Sequence, residues 1–561
     1  MIRYPENYNP IREYWEKIES GEVTVCDKTR RTYKKLIYDL DHPGEYFYSA
    51  HRGNHIIEFF ENYCHHSKGK SGGKKVVLEL WEKAMLAAVF GFVDINGLRK
   101  YREVIFIVGK KNGKSLLASG VGLYLLVGDG EPGPEVYAVA TKKDQSKIIW
   151  MESKRMTKKS PALLKRIKPL VAELSSEDYN SGTFKPLASD SDTLDGLNVH
   201  GALMDEIHQW KDGRPLYDII ADGVTAREQP LIFITTTAGT VREDIYDQKY
   251  DEAERLINGY FDENGYKDDH LIAFVYELDN RKEWIDEKCW YKANPGLGTI
   301  KNFKTLRDKV NKAMQDPKLV KNLVCKEFNI RETSSEAWLT FEQIDNRETF
   351  DIKELKPRYG IGGCDLSSTT DLTNATVIFK VPKDERIYVL QMYWLPEDLL
   401  EQRTREDKIP YDIWAENGWI RTCPGNKVHY KYVREWFEQV QKEYDIYLFK
   451  CGYDSWSATY FVEDMKDTFG AAVMDPVIQG KKTLSGPMKS LGADLSAKRV
   501  IYNNNPVLKW CLCNTSVDVD KNDNIQPCKG NTSTRRIDGT AGLLDAYVEL
   551  ENNLEEYESL I

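Results

Sequence analysis

The chain has 561 residues, 41% of them hydrophobic and 30% charged, with a formal net charge of −10. Such a length exceeds a single core and sets an expectation of two large domains, and the apolar and aromatic content excludes a disordered chain. The acidic balance excludes a protein that coats nucleic acid indiscriminately, yet it leaves room for a local basic groove. Lys68–Lys75, Lys158–Lys159, Lys481–Lys482 and Lys498–Arg499 are candidates for one, and each is as consistent with a solvated surface run.

Residues 1–75 mix aromatic and charged side chains and end in a lysine/glycine run, an N-terminal segment expected to pack on the first large domain. The start, M-I-R-Y-P-E-N-Y, lacks the charged-then-apolar order of a signal peptide, and no apolar run approaches the ~20 residues of a membrane helix. Leu78–Phe92 has helical apolar spacing. Val104–Ser115, V-I-F-I-V-G-K-K-N-G-K-S, is an apolar β-branched run that breaks into a Gly/Lys/Asn turn and opens a helix over Leu116–Leu126. A strand feeding a glycine-rich turn and a helix start presents N–H groups and a lysine to phosphate. The loop departs from G-x-x-x-x-G-K-[ST]: Gly109 and Gly113 enclose Lys110, Lys111 and Asn112, one residue too few, while Lys114 and Ser115 follow correctly. Taken alone, an exposed lysine-rich loop explains it equally well.

A second strand is expected at Val136–Ala140 and a helix at Asp144–Met156. Leu203–Glu206, L-M-D-E, closes another apolar run on two adjacent acids, where a nucleotide site has its Mg²⁺ ligand and the base for water. This pair turns the balance towards a nucleotide site. Pro230–Thr236 forms a further strand that ends in Thr235, Thr236 and Thr237, whose hydroxyls can sense a γ-phosphate or simply be β-branched strand residues. Arg227, just ahead of it, is either an arginine finger or a surface arginine. Strands alternating with helices predict a parallel sheet with helices on both faces and active residues at its carboxyl ends. From Asp251 to about Glu336 the pattern is charged, aromatic and helical, and the boundary between halves is expected near Asp351.

The second half opens on a Gly-flanked apolar strand that ends on Asp365, with Asp371 in the loop beyond it. Strands at Ala375–Val381 and Arg386–Trp394, a helix at Tyr430–Tyr444 and a strand at Ile446–Tyr453 ending on Asp454 come next. Three meandering strands, a helix and a parallel fourth strand resemble the ribonuclease H-like layout, which sets the first and fourth strand acids side by side. In-line phosphodiester hydrolysis uses two Mg²⁺ or Mn²⁺ ions held by hard oxygen ligands, here Asp365, Asp454 and Asp538, with Asp371 direct or through water. Asp538 and Asp545 stand about two helical turns apart, ~10 Å, so one metal pair takes only one of them, and Asp538 is preferred. Each of Asp454 and Asp538 is also explained as a helix cap. The ten cysteines are scattered and expected to be reduced. Cys511, Cys513 and Cys528 come closest to a metal cluster but lack a second close pair.

G-K-K-N-G-K-S, L-M-D-E-I-H and P-L-I-F-I-T-T-T-A-G-T, then C-D-L-S-S-T-T-D-L-T, Y-D-S-W, Asn505-Pro-Val-Leu-Lys-Trp and R-I-D-G-T-A, carry a resemblance. In their order and spacing the chain resembles the large terminase subunit of tailed bacteriophages over most of its length. The resemblance implies an additional-strand P-loop ATPase over 76–345, a linker over 346–356 and a ribonuclease H-like nuclease over 357–561. It implies ATP held by Gly109–Ser115, with Lys110 or Lys111 able to share the role of Lys114. Ser115 and Asp205 would hold Mg²⁺, Glu206 would activate water, and Thr235–Gly239 would couple hydrolysis to movement. Asp365, Asp454 and Asp538 would be the nuclease acids. Glu82 stands where the family often has an adenine-reading glutamine.

The expected function is an ATP-driven double-stranded DNA packaging motor that also cuts concatemers. It would act in the host cytoplasm as a ring on the portal of a procapsid, with a small terminase subunit and possibly an accessory nuclease, and without a membrane. The rivals are a helicase- or restriction-type repair ATPase–nuclease and a non-catalytic DNA-binding scaffold.

Overall fold

The structure is a computed structural model. It describes residues 1–561 except 70, 179, 190–195, 211–212, 240–243, 317–318, 333–336, 367–371, 455–458 and 530–535, and the side chains of Glu406 and Lys408. The expectation for Asp371 falls outside the described residues. The chain forms two compact units that divide between Arg331 and Glu332.

The first unit opens with four helices, α1 (Pro10–Glu19), α2 (Asp27–Asp41), α3 (Ala50–Tyr63) and α4 (Leu80–Gly91). Its sheet is built from β1 (Glu103–Ile107), β2 (Glu135–Ala140), β3 (Ile167–Pro169), β4 (Leu174–Ser176), β5 (Gly182–Ala188), β6 (Val199–Asp205), β7 (Leu231–Thr236) and β8 (Leu271–Val275). The helices along it are α5 (Lys114–Val127), α6 (Lys143–Lys159), α7 (Arg214–Gly223), α8 (Ile245–Gly259), α9 (Phe303–Gln315) and α10 (Val320–Phe328). The strand order is β8-β1-β7-β6-β2-β5-β4-β3, parallel from β8 to β5 and antiparallel over the last two pairings. Strand β7 therefore lies between the strand feeding the glycine turn and the strand ending on the acids.

Alternation of side chains explains why these strands read as unbroken apolar runs. Val104, Phe106, Leu231 and Phe233 enter one core with α3, α4 and α5, while Ile105, Ile107, Ile232 and Ile234 enter another with α7 and α8. Both faces are covered, so each successive residue must be apolar. Ile11, Tyr14 and Ile56 share the first of these cores with Leu117 and Val121, which makes residues 1–75 an integral layer of the unit.

Strand β8 corrects the helical expectation over Asp251–Glu336. L-I-A-F-V is too short for its periodicity to distinguish strand from helix, and its pairing along the length of β1 decides the outcome. The hairpin β3–β4 and strand β5 are also additional to the sequence reading.

The second unit has the strands β9 (Tyr359–Asp365), β10 (Thr373–Phe379), β11 (Ile387–Pro396), β12 (Ile420–Cys423), β13 (Tyr447–Asp454), β14 (Met474–Val477) and β15 (Val500–Ile501). Its principal helices are α11 (Lys431–Tyr444), α12 (Thr459–Phe469), α13 (Lys481–Ser496), α14 (Pro506–Asn514) and α15 (Asp538–Asn552). The order is β12-β11-β10-β9-β13-β14, with β9, β10 and β11 an antiparallel meander and β13 parallel to β9. This is the expected ribonuclease H-like layout.

The boundary lies earlier than the linker expected over 346–356. Leu339, Phe341 and Ile344 sit in the core of the second unit beside Leu491 and Tyr502. Asn346 donates from its backbone to the Tyr502 hydroxyl at 3.1 Å, and Phe350 to Asn503 Oδ1 at 2.7 Å. The polar stretch that reads as a linker is thus anchored by hydrogen bonds.

Candidate active sites

The first site gathers at the carboxyl ends of β1, β7 and β6. Strand β1 runs into the turn Val108–Gly113, where Lys111 and Gly113 take left-handed φ values of 69° and 86°. Glycine takes that conformation freely and lysine does not, so the turn is held in shape by its surroundings. Helix α5 then starts at Lys114 with its amino end towards the turn. Asp205 ends β6, and Glu206 comes directly after it at a left-handed φ of 52°. This conformation is uncommon for a side chain of that size and occurs preferentially at functional sites.

The side chains interlock. Lys114 Nζ lies 3.3 Å from Glu206 and 3.4 Å from the Val108 carbonyl, to which it donates. Ser115 Oγ donates to Asp205 Oδ2 at 3.3 Å, and Thr235 Oγ1 donates to Asp205 Oδ1 at 2.8 Å. Thr236 Oγ1 meets His208 Nδ1 at 3.0 Å, and Thr237 Oγ1 donates to Glu206 Oε2 at 3.4 Å. Each threonine of β7 and its exit thus addresses a different residue of the acidic turn, as the position of β7 beside β6 allows.

Burial pushes the Asp205 carboxyl up and neighbouring Glu206 pushes it further, with Lys114 opposing. Burial acts on Glu206 in the same sense, but Lys114 and His208 outweigh it and hold that carboxyl below its usual range. Glu206 therefore stays a charged acceptor, as a group that orients water must. Ser115 and Asp205 offer adjacent hard oxygens, a donor set that fits a small divalent cation.

The expected residues divide by placement. Gly109, Gly113, Lys114, Ser115, Asp205, Glu206 and Thr235–Thr237 come together, with Lys110 and Lys111 in the turn itself. The buried Asn112 side chain is engaged within the protein, donating to the Gly109 carbonyl at 2.8 Å and to Asn294 Oδ1 at 2.9 Å, so a contact from this residue to ATP would come from its backbone. Arg227 does not join the site. Its guanidinium pairs with Glu131 at 3.1 Å and donates to the Pro132 and Gly133 carbonyls, and it precedes β7 at the amino ends of the strands. Residues that sequence reasoning missed are His208, Asn294 and Lys301. His208 stood in the L-M-D-E-I-H stretch without an assigned role, and its spacing from Glu206 was the available signal.

Glu82 is buried on the first turn of α4, where its Oε2 accepts from the Glu79 amide at 2.8 Å. A Cβ on Gly113 would come within 3.4 Å of Glu82 Oε1, so the carboxyl borders the turn. Burial pushes its pKa up to about 8.

In the second unit, Asp365 ends β9 and Asp454 ends β13, and the register Cys364↔Tyr453 sets the two on neighbouring parallel strands at one level. Helix α15 crosses behind them. It approaches this closely because Gly363 and Gly452, paired across β9 and β13, have no side chains: a Cβ on Gly363 would strike the Gly542 carbonyl and the Ala546 amide, and one on Gly452 the Asp545 carbonyl. Asp538 begins α15 and is buried. Its charge and that of Asp365 both raise the buried Cys511 thiol, after burial itself. Asp545 accepts from Gln479 Nε2 at 3.1 Å. Burial first, then Asp454 and Glu549, push its carboxyl well up. Asp538 and Asp365 thus both act on Cys511, and Asp545 feels the charge of Asp454. The donor chemistry suits Mg²⁺ or Mn²⁺, although among the described residues no three His, Cys, Asp or Glu side chains form a group that could hold a metal ion. Cys511 and Cys513 are buried and Cys528 half-buried, all as free thiols.

Comparison with known proteins likewise finds an ATPase part followed by a nuclease part, with the border between the two matches placed earlier in the chain. The family model described as terminase large subunit, ATPase domain, matches residues 80–255, and that described as terminase large subunit, endonuclease domain, matches 265–553. The second match takes in β8, α9 and α10, which fold with the first unit. The chain is 27% identical over 499 residues to the terminase large subunit of Enterobacteria phage HK97, covering 88% of this chain and 94% of that one. It is 22% identical over 557 residues to the terminase large subunit of Lactococcus phage p2, covering 95% and 97%. The crystal structure of the HK97 large terminase aligns with a TM-score of 0.47 at 25% identity, covering 89% of this chain and 99% of that one. The chain belongs to the terminase large subunit family, the ATPase and endonuclease of viral DNA packaging.

Proposed function

We propose a division of labour among the residues of this DNA-packaging ATPase and endonuclease. Lys114 and the amides at the start of α5 hold the phosphates of ATP, and Ser115 with Asp205 holds Mg²⁺. Glu206, kept charged by Lys114 and His208, orients and deprotonates the attacking water. The loss of the γ-phosphate is felt through Thr235–Gly239, which couples hydrolysis to movement of DNA. The observation that carries this reading is the interlocked set Lys114–Glu206 and Ser115–Asp205–Thr235 at the carboxyl ends of three adjacent strands.

In the second unit, Asp365 and Asp454, with Asp538 and Asp371, are the ligands for two Mg²⁺ or Mn²⁺ ions. When bound, such ions stabilise the attacking and leaving oxygens of the cut phosphodiester. The acids at the ends of β9 and β13 fix where the scissile phosphate sits.

The working assembly is a ring on the portal of a procapsid, with a small terminase subunit to select DNA and an accessory nuclease where cutting needs one. A neighbouring copy supplies an arginine to the γ-phosphate. The motor works in the host cytoplasm; no helix among the described residues is long and apolar enough to cross a membrane. Contacts to double-stranded DNA are mostly to phosphate, so binding weakens steeply with salt.

The test is to assay the purified chain for Mg²⁺-dependent ATP turnover and for Mg²⁺- or Mn²⁺-dependent plasmid nicking, and to probe it with portal protein. Both activities and portal capture are expected. A chain that binds DNA without turnover or nicking would be a scaffold, and one that captures repair proteins and never portal would be a repair enzyme.

A further inference from the structure

The phosphate turn is one residue short and contains a lysine in a left-handed conformation, so something outside it must set its shape. Its first two amides are taken up within the protein: Gly109 donates to the Ala293 carbonyl at 3.0 Å and Lys110 to the Lys326 carbonyl at 3.0 Å. Both acceptors belong to the segment after β8. The single turn Trp290–Ala293 and helix α10 therefore form a wall against which the loop is pinned.

Asn294 is the centre of that wall. It is fully buried, and its amide is satisfied on both sides. Asn294 Oδ1 accepts from Asn112 Nδ2 at 2.9 Å and from Lys301 Nζ at 2.5 Å, and Nδ2 donates to the Trp290 carbonyl at 3.0 Å and the Glu327 carbonyl at 2.9 Å. Lys301 is in turn fixed by Glu327 at 2.7 Å, and Glu327 is also paired with Lys309 at 2.6 Å. Asn112 completes the circuit, since its Oδ1 accepts from the Gly296 amide at 3.2 Å. Gly109 can approach only because it lacks a side chain; a Cβ there would strike Asn294 Oδ1 and crowd the Glu327 carbonyl.

We propose that Asn294 is a positioning residue for ATP binding: through Asn112 it holds the short turn Gly109–Gly113 in the conformation that receives the phosphates. This rests on the reading of Gly109–Ser115 as the phosphate loop. Without the Asn294 carboxamide, Asn112 and Lys301 each lose one buried acceptor and keep the Gly109 carbonyl and Glu327 respectively, the loop relaxes from its left-handed turn, and nucleotide affinity falls. Glu206 and Asp205 lie on another strand and are not part of the circuit, so the chemical step is spared. A side chain that merely filled space would act on stability alone.

A double-mutant cycle on the full chain tests this. Binding of a fluorescent ATP analogue with Mg²⁺, steady-state hydrolysis and thermal melting are measured for wild type, Asn112→Ala, Asn294→Ala and the double variant. Each single substitution is expected to weaken nucleotide binding about tenfold and raise KM in step, with kcat within about threefold, and the double variant to be no weaker than the worse single one. Unchanged affinity in folded Asn294→Ala, or losses that multiply in the double variant, would overturn the proposal. If Asn294→Ala does not fold, the same cycle is run with Lys301→Met, which removes one donor to Asn294 and leaves Glu327 paired to Lys309. Non-additive losses with Asn112→Ala then support the proposal and additive ones overturn it. A wild-type chain that fails to bind the analogue at all would instead undo the phosphate-loop reading.

Discussion

The two sites treat their carboxylates in opposite ways. In the first unit the acids meet a cation, an imidazole and hydroxyls of the same chain: Lys114 and His208 at Glu206, Ser115 and Thr235 at Asp205. Glu206 is consequently driven down despite its burial. In the second unit an acid meets acids, and Asp545 is driven up by burial, Asp454 and Glu549, with Gln479 as its opposing partner. A carboxylate cluster becomes fully charged only when compensating charge arrives. The comparison teaches that Glu206 of the ATPase site owes its charge to groups of the same chain, whereas the buried Asp545 beside Asp454 would ionise fully only with further compensating charge.

The substitution expected to break this contrast most forcefully is Gly363→Ala. The new methyl group would strike the backbone of α15, which must back away and take Asp538 with it. A loss of about 3 kcal/mol in the denaturant unfolding of the second unit is expected, with plasmid nicking abolished and ATP turnover within about twofold. Unchanged unfolding would mean that α15 does not rest on β9 as described. His208→Ala sharpens the other half. It removes one of the three groups facing Glu206, beside Lys114 and Thr237, and takes the imidazole from Thr236, so kcat for ATP should fall about tenfold with little change in KM. A change in KM alone would place His208 in binding rather than in water activation.

The effect that leaves both activities least touched concerns Glu82, whose carboxyl is pushed up to about 8 by burial. Its folded pKa lies above its unfolded value, so the folded chain binds the proton more tightly. Stability is fully present below the unfolded value of ~4.3 and drains away as the pH climbs to 8. Glu82→Gln removes that loss. Its melting temperature relative to wild type should therefore rise between pH 5.5 and pH 8, and a difference that stays flat would show that Glu82 ionises normally.

Much of the fold and of both sites was legible in the sequence because it depends on local order. A strand ending in a glycine turn, an apolar run ending in two acids, and a Gly-flanked strand ending in Asp365 each declare themselves within a dozen residues. The meander of β9–β11 followed by α11 and β13 is equally a matter of period and spacing. What stayed hidden is long-range. Asn294 reads as an ordinary turn residue in A-N-P-G, and only its distance to Asn112 gives it a role. Arg227 precedes the right strand, but a parallel sheet puts the start of a strand at the edge opposite to the site. Strand β8 is five apolar residues whose type is decided by β1 beside it. The stretch 346–356 is polar enough to read as a linker, and its hydrogen bonds to Tyr502 and Asn503 are invisible without the fold.

The central claim is that one polypeptide carries two chemically independent sites, one for ATP and one for the phosphodiester. It is tested most directly by assaying ATP turnover and metal-dependent plasmid nicking side by side on Glu206→Gln and Asp365→Ala. The account predicts a crossed result: Glu206→Gln binds ATP, loses turnover by about a hundredfold or more and still cuts, whereas Asp365→Ala loses cutting and still hydrolyses ATP. Loss of both activities together in each folded variant would contradict it.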